Sequence, residues 1–253
     1  MKRIILFVNG QLGLRVIEFV NKQTNFEISG VVLNAPEKRS STLLPSLLLE
    51  YPTLNFFEFS ENLWVQKQFE DAIKVSNLAV SALFGHIIPA NVLEHFGSDI
   101  VNLHPSLLPI GRGSDPVAWA LIENQKQGVT IHVVEASLDS GPIVAQREVK
   151  ATFDLSAGDI YGLAMDELFK LFKDFIQKWP TEIKYVPQEG RASYHETSEL
   201  ASLRSDLGHG SAEIEHSLRV IQALTFSDGR SARLRLNNGE LWEITLSMAR
   251  VEE

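Results

Sequence analysis

Residues 4–20 read Ile4-Ile5-Leu6-Phe7-Val8-Asn9-Gly10-Gln11-Leu12-Gly13-Leu14-Arg15-Val16-Ile17-Glu18-Phe19-Val20, and after a polar break the chain resumes Ile28-Ser29-Gly30-Val31-Val32-Leu33. Five consecutive apolar residues ended by Asn-Gly predict a strand covered on both faces. Leu12, Val16, Phe19 and Val20 then recur at helical spacing, and residues 28–33 form a second β-rich run. Strand, helix, strand at this length is the pattern of a parallel βαβ unit.

Outward from this unit the pattern repeats. Residues 35–41 are a polar loop, 54–57 a short strand, 62–74 a helix and 78–84 a continuous apolar strand. Residues 100–103 form the next strand. The rhythm then changes: 129–135 and 143–149 predict an antiparallel pair, so the expected fold is α/β, a Rossmann-like, mixed, mostly parallel sheet with flanking helices. Residues 155–178 predict one long amphipathic helix with Leu163, Leu168, Leu171, Phe172 and Phe175 on its buried side. From 190 to 210 the chain is polar and Gly/Ser-rich, a linker or extended loop. Beyond it, Ser211 can cap a helix to about Leu224, and strands at 231–236 and 240–246 flank Asn237-Asn238-Gly239, a hairpin-turn signal. The expected organisation is a domain over 1–200 and a small helix and β-hairpin module over 201–253.

Composition narrows the function. Cysteine is absent, which excludes disulfides, thiolate catalysis and Cys-type zinc sites. A net charge of −9 opposes the basic surface that a phosphate backbone requires, so nucleic acid is not an expected partner. No segment reaches the ~20 apolar residues that span a bilayer, and the short apolar run after Met1-Lys2-Arg3 is a first strand rather than a signal peptide. The expected location is the cytoplasm, away from membranes.

The densest chemistry lies in Asn102-Leu103-His104-Pro105-Ser106-Leu107-Leu108-Pro109, where a buried strand gives way to a loop. That end of an α/β sheet is where ligands bind, and residues two apart on a strand face one side, so Asn102 and His104 address the same cleft. Each also has a plain role, as a turn cap and a buried core histidine. A second constellation, Gly128-Val129-Thr130-Ile131-His132 to Leu138-Asp139-Ser140-Gly141-Pro142-Ile143, sets Asp139 in a tight turn between two strands, where an Asx-type hydrogen bond is its plain role. His132 reads as a structural histidine in an apolar strand. Asn9-Gly10 opens a helix after the first strand, suited to an anionic group, and Arg112, Arg15, Lys38 and Arg39 are candidate phosphate partners or surface charges.

Taken together, Asn102-x-His104, Ser106-Leu107-Leu108-Pro109 with Arg112-Gly113 and Pro116, and Gly128-Val-Thr-x-His132 leading to Leu138-Asp139-x-Gly141-x-Ile143 and Gln146 resemble the formyltransferase family. That family includes glycinamide ribonucleotide formyltransferase, methionyl-tRNA formyltransferase and the sugar-nucleotide N-formyltransferases. Looser similarity covers residues 1–200, and Ala192-Ser193-Tyr194 with 211–246 resembles the family's tail. The resemblance implies N10-formyltetrahydrofolate as cosubstrate, no metal, and catalysis by Asn102, His104 and Asp139. It places the pterin between two loops, with His86, Ile87, Ile88, Glu135, Ala136, Ser137 and Leu138 as cofactor-binding residues and Ile87 and Ile88 packing on the ring or in the core. Asn9, Gly10 and Arg112 are the substrate-binding candidates.

The acceptor is chosen by exclusion. The chain exceeds a bare catalytic core and stops short of a tRNA-binding barrel, and residues 201–253 carry six arginines against eight acidic residues and no lysine. The expected acceptor is the amine of a nucleotide-linked amino deoxysugar of the kind built into surface polysaccharide and O-antigen, with a homodimer left open. A methionyl-tRNA formyltransferase-like enzyme, a formyltetrahydrofolate hydrolase and a folate-responsive binding protein remain the alternatives.

Overall fold

The first βαβ unit forms as its periodicity demands. In β1 (Lys2–Val8), Ile4 to Val8 are fully buried, α1 (Gly10–Asn21) turns Leu12, Val16, Ile17 and Val20 inward, and β2 (Phe26–Leu33) returns parallel to β1 with Leu6 opposite Val31. The structure, a computed structural model, describes residues 1–40, 47, 49–152, 155–205, 214–227, 230–235 and 239–246.

The unit grows into a seven-stranded sheet of order β3-β2-β1-β4-β5-β7-β8, with β3 at Phe56–Glu58, β4 at Leu78–Ala82, β5 at Ile100–His104, β7 at Gly128–Val133 and β8 at Ile143–Glu148. β2 with β3, β1 with β2 and β4, and β4 with β5 all pair parallel. At the other edge the Val133 N–H donates to the Pro142 carbonyl and Val149 N–H to the Gln127 carbonyl, the pattern of an antiparallel pair. The sheet is mixed and mostly parallel, as expected.

Two compact units make up the chain. The first comprises Met1–His104, Ile131–Val144 and Phe172–Tyr185. Its core is aromatic: Phe7 packs with Trp64, Phe69 and Phe84, and α2 (Lys67–Val75) and α3 (Ala90–Phe96) supply Phe69, Ile73, Val92 and Phe96. Each such ring contributes roughly 1.5–3 kcal/mol on burial. The helix expected over 62–74 is divided: a 3-10 turn at Leu63–Val65 precedes α2, and Gln66 between them is extended. The break lets Trp64 meet Phe7, Phe59 and Phe69 while α2 keeps its own inward face.

The second unit comprises Pro105–Thr130, Ala145–Leu171 and Val186–Glu253. Its core joins α4 (Pro116–Ile122) to the C-terminal elements through Ala118, Trp119, Ile122, Leu200, Val220, Ala223, Leu224 and Ala232. The stretch expected to be a loop from 190 contains β9 (Tyr194–His195), paired parallel to β6 (Arg112–Gly113), and α6 (Thr197–Ser205). Leu200 explains the difference: it is buried and, with Leu203 packed beside it, anchors a mostly polar helix that composition averages away. α7 (Ile214–Leu224) and the antiparallel pair β10 (Ala232–Arg235) and β11 (Leu241–Ile244) match the expected helix and hairpin. Ser211, Asn237 and Asn238 lie outside the described residues, and Gly239 has the positive φ that suits such a turn.

The long helix α5 (Ala157–Lys178) also departs in one residue. Its buried line runs Ile160, Ala164, Leu168, the adjacent pair Leu171 and Phe172, and Phe175, a helical spacing that leaves Leu163 off the stripe and 41% exposed.

Candidate active site

Asn102 and His104 leave β5 on the same side, as the alternation of a strand requires, and both reach Asp139 or its neighbour. Asp139 Oδ2 lies 3.8 Å from His104 Nδ1, and Oδ1 lies 3.4 Å from His132 Nε2. The two imidazoles sit edge to face, 5.9 Å apart. Asn102 Nδ2 lies 3.3 Å from that same His132 Nε2. His104 and His132 are buried and Asn102 and Asp139 half-buried, all within the first compact unit.

His132 is the member that the sequence reading assigned to the core. Its burial fits that reading, but its ring nitrogens do not. Nδ1 lies 2.8 Å from the Val133 carbonyl, which can only accept, so Nδ1 carries a hydrogen. A neutral ring then offers Nε2 as an acceptor to the Asn102 amide, whereas an ionised Asp139 calls for a proton on Nε2. One nitrogen therefore lies between the amide and the carboxylate. The signal that could have found it was strand pairing: Val134 N–H donates to the Ile100 carbonyl, which sets β7 beside β5.

Asp139 has φ +50, the left-handed region that non-glycine residues enter at a cost. The turn is closed by Ser140, whose hydroxyl donates to the Ser137 carbonyl at 2.8 Å, while the Asp139 carboxylate faces the histidines. Gly141 is required two residues on, because a Cβ there would lie 2.1 Å from the Val133 carbonyl oxygen.

The remaining motif residues hold the turn after β5. Thr130 Oγ1 donates to the Ser106 carbonyl at 2.6 Å and accepts from Leu108 N–H and Gln146 Nε2, and Gln146 Nε2 also donates to the Leu108 carbonyl. A Cβ at Gly128 would lie 2.3 Å from Leu107 Cγ. Thr130 and Gln146 therefore hold the backbone of residues 106 and 108, and Gly128 leaves room for the Leu107 side chain.

The binding candidates are placed as follows. Ile87 is 85% exposed and Leu138 52%, but Ile88 is 7% exposed and belongs to the Phe7 core, so its side chain is packing and not a ligand surface. The His86 ring stacks on Phe59 at 3.6 Å, and its Nε2 accepts the Ala35 N–H. Burial, then the Lys38 charge, hold His86 below its ordinary pKa. Glu135, Ala136 and Ser137 lie on the loop that leads to Asp139. Asn9 spends its side chain on the next loop, Nδ2 donating to the Lys38 carbonyl and Oδ1 accepting Ser40 N–H, and its own N–H goes to Ala82. Gly10, with φ +59, begins α1. Lys38 Nζ donates to the Gly85 carbonyl, and Arg39, 8% exposed, pairs with Glu58, so both are structural. Arg112 belongs to the second unit, where its guanidinium donates twice to Gln188 Oε1.

Among the described residues, His104, His132 and Asp139 are the group whose side-chain atoms lie close enough together to ligate a metal. A cavity of about 400 Å³ in the second unit, lined in part by Lys126, Lys150, Arg219 and Gln222, contains none of these residues. No helix among the described residues is long and apolar enough to cross a membrane.

The chain is 32% identical over 171 residues to a dTDP-4-amino-4,6-dideoxyglucose formyltransferase of Mycobacterium bovis, covering 66% of this chain and 71% of that protein. It is 28% identical over 204 residues to a methionyl-tRNA formyltransferase of Clostridium novyi, covering 77% of this chain and 66% of the relative's length. In fold it is similar to a 4-N formyltransferase from Francisella tularensis, with a TM-score of 0.83 at 16% identity over 99% of both chains. It is also similar to the formyltransferase PseJ from Anoxybacillus kamchatkensis, solved with UDP-4,6-dideoxy-4-formamido-L-AltNAc and tetrahydrofolate, with a TM-score of 0.60 at 21% identity over 86% of this chain and 97% of that one. The sequence profile of the formyl transferase family matches residues 2–172, more than half of the chain, including the whole Asn102, His104, His132 and Asp139 cluster, and the chain belongs to that family of formyl-transferring enzymes.

Proposed function

We propose that the chain moves the formyl group of N10-formyltetrahydrofolate to the amine of a nucleotide-linked amino deoxysugar. The observation that carries this reading is the convergence of Asn102, His104 and Asp139 at the end of β5, joined by His132. In the transfer, the amine nitrogen bonds to the formyl carbon, a tetrahedral oxyanion forms, the carbon–N10 bond breaks, and the proton lost by the amine ends on N10. The products are the N-formylated sugar and tetrahydrofolate. The Asn102 amide donates to the oxyanion, His104 carries the proton, and Asp139 orients and charge-stabilises the imidazole. None of these steps draws on a metal.

Ile87 and Leu138, exposed apolar side chains on the two loops, are the surfaces on which the pterin packs, with backbone groups of Gly85–Ile88 and 135–138 meeting its polar edge. Residues 1–200 act as the catalytic region, and 201–253 as an appendage of helix and hairpin. The sugar reading draws support from the Mycobacterium relative's name and from the lysine-free, net acidic tail. Formylation of methionyl-tRNA is the second reading, favoured by the Clostridium relative.

The test is incubation with N10-formyltetrahydrofolate and, separately, a panel of nucleotide-linked 3-amino and 4-amino deoxysugars, methionyl-tRNA, glycinamide ribonucleotide, or no amine. A formyl mass increment on a sugar nucleotide is expected, with the free sugar reacting far more slowly because the nucleotide contributes binding energy away from the reacting centre. Efficient formylation of methionyl-tRNA with no sugar product would overturn the reading, and formate release without amine would mark a hydrolase.

A further inference from the structure

The ends of β1, β2 and β4 are tied together by one short loop, residues 34–40. Asn34, 1% exposed, donates from Nδ2 to the Lys38 carbonyl at 3.1 Å and accepts the Gly85 N–H on Oδ1 at 3.1 Å. Lys38 Nζ donates to the Gly85 carbonyl at 3.0 Å. Both polar backbone groups of Gly85 are therefore held by this loop. The next residue, His86, accepts the Ala35 N–H at 3.2 Å and is clamped flat on Phe59. Asn9 bonds the loop from the other side, at the Lys38 carbonyl and Ser40 N–H, and Arg39 Nε donates to the Asn34 carbonyl. The chain enters this segment through Leu83, whose φ of +62 is left-handed. Leu83 thus adopts a backbone that local preference does not favour, and the segment after it is kept in place by side chains some fifty positions earlier.

We propose that Asn34 and Lys38 are positioning residues for the folate site, fixing the Gly85–Ile88 backbone in the shape that receives the pterin, and that this clamp is complete only while His86 is neutral. The inference rests on the proposed reading of Gly85–Ile88 as a pterin loop. It reaches beyond that reading because Asn34 and Lys38 lie on a different strand end. Fixed backbone donors and acceptors bind a flat heterocycle more tightly than mobile ones, since the ordering is complete before the ligand arrives. The His86 requirement follows from geometry: a ring nitrogen that accepts an N–H has no hydrogen of its own, and protonation would set two donors face to face. Lys38 and Glu37 are the charges that act on this ring, Lys38 opposing its protonation and Glu37 favouring it.

The experiment measures equilibrium binding of 5-formyltetrahydrofolate, together with KM for N10-formyltetrahydrofolate and for the amine, in the full chain. Lys38→Met, at an exposed position, removes one hydrogen bond, and the folate Kd and KM are expected to rise about fivefold with kcat and the amine KM unchanged. Asn34→Ala removes two, and a rise of about tenfold or more is expected, partly restored in Asn34→Asp, which keeps the acceptor for Gly85 N–H. In the wild type the folate Kd should rise as pH falls below the histidine range. His86→Gln, whose carbonyl can take the Ala35 N–H without titrating, should flatten that dependence. If wild type binds the folate and Lys38→Met binds it as tightly with an unchanged melting temperature, the positioning role is overturned. Because Lys38 is exposed, this holds even if Asn34→Ala does not fold. If the wild type itself binds no folate, the pterin-loop reading fails first and takes this inference with it.

Discussion

Each compact unit carries a histidine–carboxylate cluster, and the two are built in opposite ways. In the first, one carboxylate, Asp139, is shared by two histidines at 3.4 and 3.8 Å. In the second, one histidine, His195, is shared by two carboxylates: Nε2 meets Glu123 at 2.9 Å and Nδ1 meets Glu199 at 3.0 Å, while the ring lies flat on Trp119 at 3.7 Å. His195 has both nitrogens at full hydrogen-bonding distance and one face covered, so it joins the end of α4 to α6. The Asp139 cluster sits at a strand end with longer contacts, and its His132 nitrogen cannot satisfy amide and carboxylate together. Short, saturated contacts make a structural tie; longer, competing ones leave a proton with somewhere to go.

The contrast is easiest to break at His104. His104→Ala is expected to lower kcat by about 10²-fold or more with little change in melting temperature, since general acid–base catalysis contributes on that order. Steady-state kinetics within a few-fold of wild type would remove His104 from the proton path. Asp139→Asn should follow with a loss of about tenfold or more in kcat and nearly constant KM values, because in the proposed mechanism the carboxylate acts on His104 and not on bound substrate. An unchanged kcat would reduce Asp139 to a turn residue.

The other cluster should answer in stability alone. His195→Ala removes two charge-assisted hydrogen bonds and a stacking contact at a partly exposed site, so a loss of about 1–3 kcal/mol and a melting point lower by several degrees are expected, with kcat within a few-fold. A large loss of kcat in the folded variant would bring the second cluster into the chemistry.

The smallest effect is in acid. The Glu199 carboxyl is held below its ordinary pKa by the Glu196 N–H and then by His195, and Glu167 by Lys170 and then Arg147. A carboxylate with a lowered folded pKa contributes stability that is present above its unfolded value of about 4.3 and is lost as pH falls through the folded one. The melting temperature should therefore decline below about pH 4.3, and slightly less steeply in Glu199→Gln. Identical slopes would show that Glu199 adds nothing to the tie.

The alternation of apolar runs and helical stripes located β1, α1, β2, β4, β5, α5, α7 and the terminal hairpin, because those elements bury one continuous face that periodicity records. It missed α6, whose helix rests on Leu200, and it ran α2 together with the 3-10 turn before it, because the position of Trp64 answers to Phe7 and Phe69 and not to its neighbours in sequence. For the same reason the sequence left Ile87 and Ile88 open between ring and core, and the fold puts the Ile88 side chain in the Phe7 core. An apolar residue in a loop reads alike whether it faces a pterin or a phenylalanine.

By itself the sequence determined the α/β class, the mixed sheet, and Asn102, His104 and Asp139 as the residues to examine, since ordered motifs and strand alternation are local properties of the chain. Only the tertiary structure brought His132 between Asn102 and Asp139, because that depends on β7 lying beside β5. Likewise only the fold showed that Asn34 and Lys38 grip Gly85. Those bonds join residues about fifty positions apart, and a hydrogen bond of 3 Å is decided by where strands end in space, which no window of sequence contains.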